Sequence, residues 1–378
     1  MIETDGDLAG VFDRLRRAAW GAAGAGGAAC AVAAWAVPGA FLPAYLVALL
    51  FWTGISVGSL GFVMLHHLVG GTWGLLVRRP QEAAAGGLPV LALLFLPLVA
   101  GLETLYPWSR PERVAQDDLL RHRAGYLNAP SFIARAGIYF LIWIVLAMIL
   151  RRDSLALDRS PDPGAARRLR LISGPGLVAW GLAVTFMAID WVLSLEARWF
   201  STVYGMIFMA GAGLSGICLG VLGATLLADR EPLAGALTPE RLNDLGNLVF
   251  TFVLLWAYTS FAQYLILWSG NLPEEIGWYL HRSSPAGQAV AGTLAAVHFA
   301  IPFFVLLSKR VKRSRKAMAF VAAGLLGARL LDLSWQVVPV QLARLMSDPD
   351  KAKAGRVAAA MMQMVKLDIA GLEAAAAG

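Results

Sequence analysis

Charge is what this sequence has least of. Only 15% of its 378 residues are Asp, Glu, Lys or Arg, against 58% that are hydrophobic. A soluble domain averages about 25% charged residues, and here the deficit runs along the whole chain. That excludes a soluble domain on a single anchor and points to an all-α polytopic membrane protein. Cysteine is nearly absent. Cys30 and Cys218 lie in separate apolar runs, so no disulfide framework or thiolate metal site can be built, and packing is their role. Histidine is scarce too. A membrane protein carrying two haems needs four axial histidines within its spans, and of His66, His67, His122, His281 and His298 only the last lies well inside one. No phosphate-binding loop, dinucleotide fingerprint or nucleophile elbow is present. The net charge of +7 needs no nucleic acid as partner, because cytoplasmic loops of membrane proteins are basic and membrane lipids are the expected surroundings.

What is there is apolar helix. A bilayer core takes about 20 apolar residues as helix, and nine runs qualify: 18–36, 41–65, 87–106, 131–150, 171–193, 203–228, 245–269, 286–308 and 317–340. Three regions follow: an N-terminal segment 1–17, a transmembrane helical domain 18–340, and a polar or amphipathic tail 341–378. Segment 1–17 mixes Glu3, Asp5, Asp7 and Asp13 with Arg14, Arg16 and Arg17. That is a poor signal-peptide start, so the first run is read as a retained helix. Lys and Arg concentrate in alternate loops, most densely in SKRVKRSRK (308–316). The positive-inside rule then places the N-terminus in the cytoplasm.

Three unusual stretches fall on the opposite side: GLETLYPW with YLNAP, DWVLSLEARWFSTVYG (190–205) and WSGNLPEEIGWYLHR (268–282). An aromatic belt accounts for Trp108, Trp199, Trp268 and Trp278. The charges need more. An ionisable group inside a span costs about 2.5–3.5 kcal/mol on insertion scales and commonly marks a pathway, a ligand or a buried pair. Glu103 ends the third run, Arg135 opens the fourth, Asp190 closes the fifth, and Arg329 and Asp332 lie within the ninth. Arg329 and Asp332 are three apart and share a helix face. They are either a structural ion pair that fixes packing or a proton-relay or quinone-headgroup site. Arg135 can snorkel outward, and Asp190 and Glu103 can be wet loop residues. Their common placement favours a polar cavity opening outward, with 190–205 as its outer rim, Asp190 facing in, Glu196 on the rim and Trp199 and Tyr204 anchoring at the interface. On the cytoplasmic side, His66 and His67 are adjacent and cannot both ligate one metal, so either is a candidate for proton entry. Asn243 or Asp244 is expected to cap the seventh helix, and Asp244 is also a pathway candidate.

DWVLSLEARWFSTVYG, NDLGNLVFTFVLLWAYTSFAQYLILWSGNLPEEIGWYL and LPLVAGLETLYPW together resemble the smaller quinone-binding-type membrane subunit of alternative complex III. That complex is a bacterial quinol:cytochrome c oxidoreductase, and the subunit belongs to the NrfD or polysulfide-reductase-like membrane family. HHLVGGTWG, GYLNAPSF, SGPGLVAWGL and LDLSWQVVP add to the likeness, which spans about residues 10–340. The resemblance implies ten spans arranged as two four-helix bundles plus extra helices. It implies a bacterial inner-membrane location beside a larger homologous membrane subunit, a periplasmic iron–sulfur subunit and multihaem cytochromes. It implies no cofactor of the chain's own, with menaquinol or ubiquinol as a possible ligand, and proton conduction toward the periplasm. Whether the chain itself takes part in catalysis stays open. A quinone needs a flat apolar cleft, which Trp191, Trp256, Tyr258 and Phe261 are placed to line. A scaffold without ligand is the alternative, and a secondary transporter ranks below both, since Pro97, Pro175 and Pro302 form no matched pair of broken helices. Glu103 stands where the family carries histidine, His281 where arginine is common, and 366–378 starts like a last span whose apolar run never arrives.

Overall fold

The computed structural model describes residues 6–159, 163–196, 199–230, 233–280 and 282–337. Among these every regular element is helical. The principal helices are α1 (Gly6–Ala36), α2 (Pro38–Val69), α3 (Thr72–Ala100), α4 (Ala129–Arg159), α5 (Pro163–Trp191), α6 (Tyr204–Leu226), α7 (Pro239–Gly270), α8 (Pro273–Leu280), α9 (Pro285–Leu307) and α10 (Arg315–Val337). Eight of them, all but α1 and α8, are long and apolar enough to cross a bilayer. The chain is an all-α, multi-pass membrane protein.

Eight of the nine expected runs become spans. The first becomes α1, a helix rich in Ala and Gly, which is not among the eight. The third span differs from expectation. Its helix starts at Thr72, kinks at Gly86–Gly87 and Phe95, and ends at Ala100, so Glu103 falls in a separate turn, Leu102–Leu105. The expected cap of α7 is also displaced. The helix begins four residues before Asn243, and the Thr238 hydroxyl accepts from the Arg241 amide. Asn271, in the left-handed region at φ 45°, closes the other end of that helix.

The helices gather round α2 and α6. Their apolar windows are 83% and 78% enclosed, against 50% or less for the other spans. Lipid supplies no hydrophobic drive between helices, so close packing of small residues must hold them. A Cβ added to Gly58 of α2 would lie 1.8 Å from the Ala212 carbonyl of α6, and one on Gly216 would lie 2.5 Å from the Gly58 carbonyl carbon. The two backbones therefore touch. One apolar core lies on the α3–α4–α5 side of this pair and a second on the α7–α9–α10 side.

Candidate functional site

Two buried polar clusters lie at the same end of the bundle, one in each half. In the first, the guanidinium of Arg135 (α4) grips the carboxylate of Asp190 (α5) with both arms. Nε donates to Oδ2 at 2.7 Å and Nη2 to Oδ1 at 3.1 Å. The Tyr139 hydroxyl donates to Oδ2 at 2.7 Å. Arg135 Nη1 donates to the Tyr126 carbonyl and the Ser131 hydroxyl, and the guanidinium lies 3.8 Å from the Tyr126 ring centre. Asp190 is fully buried. Its carboxylate takes three donors, so this cluster is closed. Tyr126, outside the spans, has its pKa pushed up to about 12 by partial burial and then by the negative charge of Asp190.

The second cluster joins α6, α7, α9 and α10. Arg329 Nη1 donates to Asp332, the Trp256 indole donates to the same oxygen at 3.1 Å, and Gln336 Nε2 donates to the other at 2.9 Å. The Tyr204 hydroxyl donates to Gln336 Oε1 at 2.6 Å. Arg329 is 2% exposed, and a Cβ on Gly211 would meet its guanidinium carbon at 2.3 Å, so that glycine makes the room for it. Against the Trp256 ring, 3.9 Å between centres, lies His298. It sits in a π-turn, Ala295–Ala300, that interrupts α9. Single π-turns widen a helix and recur at functional positions. His298 is fully buried, yet neither ring nitrogen has a hydrogen-bond partner, nor does Arg329 Nη2. Buried polar groups are ordinarily satisfied. This second cluster therefore keeps donor and acceptor capacity that the first has used up.

Glu196 and Arg282 tie the loops to α10. Arg282, 4% exposed, donates to Glu196 Oε1 at 3.2 Å, to the carbonyls of Trp278, Trp335 and Gln336, and stacks 3.9 Å from the Trp278 ring centre. Burial lowers its pKa and the charge of Glu196 works against that. A hollow of about 340 Å³ is walled by residues that include Tyr126, Leu193, Glu196, Trp199 and Phe200. It thus borders Tyr126, which contacts Arg135, and Glu196, which pairs with Arg282.

The single cavity expected from the charges thus resolves into two clusters. Arg135 does not snorkel; it pairs inward. Glu103 is exposed in its turn, where Arg110 donates to its carbonyl. Trp191 is packed among Phe95, Phe140 and Trp143 in a filled core. Trp256 lies in the other cluster. Tyr258 and Phe261 are 71% and 62% exposed. They stand on the opposite side of α7 from Val249, Val253, Trp256 and Gln263, which are buried at helical spacing. No common cleft includes all four. The belt is corrected as well. Trp108, Trp199 and Trp278 are buried, Trp199 and Trp278 stacking at 4.7 Å, and Trp268 alone of the four faces outward. Tyr204, expected as an interfacial anchor beside Trp199, is 2% exposed.

On the other end, His66 is buried against Gly74, where a Cβ would lie 2.0 Å from Nδ1, and its ring meets Trp73. His67 is half-buried, with its ring centre 5.7 Å from that of His66. Asp244 is exposed. His281 and the tail 338–378 lie outside the described residues. His298 is the residue that the sequence reading does not single out. Its signal is there, an ionisable group well inside a span, but a lone histidine counts against haem and points to no other ligand by itself. Among the described residues no three His, Cys, Asp or Glu side chains gather as a metal set. No protein-family model matches the chain, and no curated protein is similar to it.

Proposed function

We propose that the chain is the smaller membrane subunit of a bacterial respiratory quinol:acceptor oxidoreductase, as its motifs suggest, and that its own contribution is proton transfer through the α7–α9–α10 cluster. The observation that carries the proton-transfer reading is His298. It is a buried imidazole with two unpartnered nitrogens, in a widened turn, beside Asp332 and Arg329. Oxidising a quinol releases two protons, which need acceptors and an exit. Imidazole and carboxylate are the side chains suited to taking and passing them. In this reading Asp332 and His298 exchange the proton, Arg329 compensates the carboxylate, and Trp256 and Gln336 orient it. The Tyr204, Gln336, Arg282 and Glu196 contacts continue the polar chain to the rim of the outer hollow. A quinone headgroup in that hollow would lie between Tyr126 and Glu196. The partners are a larger homologous membrane subunit, an iron–sulfur subunit and multihaem cytochromes, in the inner membrane with the N-terminus cytoplasmic.

A ligand-free scaffold is the second reading, favoured by the closed Arg135–Asp190–Tyr139 cluster, which packs two helices and offers nothing more. His298→Gln separates the two. In the assembled complex, proton release per quinol and turnover fall if the cluster conducts. If both are unchanged while the subunit stays assembled, the scaffold reading stands.

A further inference from the structure

The loop between α9 and α10 has a use that proton transfer leaves unassigned. Residues 308–316 carry Lys309, Arg310, Lys312, Arg313, Arg315 and Lys316 and no acidic residue. Two of these cations are engaged. Lys312 folds inward, 8% exposed, over Gly246, and donates to Asn247 Oδ1 at 2.6 Å. Arg315 pairs with Asp229 at 2.6 Å. Lys309, Arg310, Arg313 and Lys316 are exposed and form no ion pair among the described residues. Several other basic groups at this end are paired, while Arg151, Arg159 and Arg170 are exposed but lie on α4 and α5, away from this loop. Arg78 and Arg79 are held by Asp158 and Glu82, and Arg152 and Arg168 by Asp153.

Beside the free cations stands an apolar strip. Ile301, Phe304 and Leu307 follow one another at three-residue spacing on the last turns of α9, 56%, 70% and 55% exposed. Phe320, one turn into α10, is 81% exposed. Cations at a span's end directly above exposed apolar side chains match an anionic headgroup with its acyl chains. We infer that this corner binds an anionic phospholipid, its phosphodiester held by Lys309, Arg310 and Arg313 and its chains lying along Phe304, Leu307 and Phe320. The lipid anchors the α9–α10 connection, into which Lys312 is folded from the protein side. The inference stands apart from the proton-transfer reading.

The test is native mass spectrometry of the full-length chain in mild detergent, titrated with cardiolipin and separately with phosphatidylcholine. Cardiolipin is expected to bind at a defined stoichiometry and phosphatidylcholine is not. Lys309→Gln/Arg310→Gln/Arg313→Gln together should weaken cardiolipin about a hundredfold, as loss of three surface cations implies. Arg151→Gln/Arg159→Gln/Arg170→Gln removes as much charge from the same end and should change affinity less than threefold. Equal loss in both triple variants means diffuse attraction to a basic face and overturns the site. Unchanged affinity in the first triple variant overturns it as well.

Discussion

Replacing Asp332 by Asn is the sharpest perturbation this structure offers. The carboxylate accepts from Arg329, Trp256 and Gln336. Among the described residues it is the one acidic partner of Arg329, a guanidinium that is 2% exposed. An amide keeps the size and one acceptor oxygen but removes the charge. Breaking a buried pair from one side costs about 3–5 kcal/mol, because the other charge is stranded away from water. Removing both ends is different. Arg329→Met with Asp332→Leu deletes both desolvation penalties and fills similar volume, so the double variant should lie within about 1 kcal/mol of the parent. Thermal unfolding of the purified chain in one detergent, for parent, Arg329→Met, Asp332→Leu and the double, closes the cycle and isolates the pair term. The chemistry is then read separately: the double variant in the assembled complex should have normal stability and reduced proton release. An Asp332→Asn variant within about 1 kcal/mol of the parent would refute the buried uncompensated charge. A double variant less stable than both singles would refute the claim that the pair, not its neighbours, sets the cost.

Three further outcomes follow from the packing and the first cluster. Gly58→Ala should destabilise the chain by at least about 1–3 kcal/mol through overpacking against Ala212, whereas Gly54→Ala, one turn earlier with nothing within 4 Å, should be neutral or slightly stabilising; equal effects in thermal melts would mean that α2 and α6 are not in backbone contact. Tyr139→Phe removes a hydrogen bond to a buried carboxylate and should cost about 1.5–3 kcal/mol, read in the same melts. Tyr126, with its pKa raised to about 12, keeps its proton in the folded chain above the point where the unfolded chain, near 10, loses it. Its contribution is therefore complete below pH 10 and is lost as pH rises from about 10 to 12; Tyr126→Phe should flatten the melting midpoint over that range, and an unaltered slope would mean that the phenol is neither part-buried nor beside Asp190.

Helix class and most span positions are legible in the sequence because length and hydropathy decide them in a bilayer. The third span is displaced from its apolar run because hydropathy starts at Leu88, whereas the backbone has been helical since Thr72 and merely kinks at Gly86–Gly87. Which side of a span faces inward is not legible. In water the apolar stripe marks the core, but in lipid both faces are apolar. On α7 Trp256 is buried while Tyr258 and Phe261 are exposed, and nothing in WAYTSF separates them by hydropathy. Ionisable residues are the better guide. Asp190, Arg135, Arg329 and Asp332, singled out by insertion cost alone, all turn inward and all are paired.

The tryptophans show why pairing, not amphipathicity, governs this end of the molecule. An interfacial tryptophan keeps one edge wet and needs no partner. Trp278 is instead pressed flat on Trp199 and covered on its other side by Arg282, whose remaining donors reach Glu196 and the carbonyls of α10. A guanidinium has five N–H groups in a fixed fork, and lysine, with one charged centre on a flexible stem, cannot reproduce that set of angles. Arg282 ties the loop from α5 to α6 and the α8–α9 connection to the last described turn of α10. Arg282 bridges Glu196, at the outer hollow, to the Gln336 carbonyl, and Arg282→Lys, which keeps the charge but not the fork, should lower the melting midpoint of the purified chain.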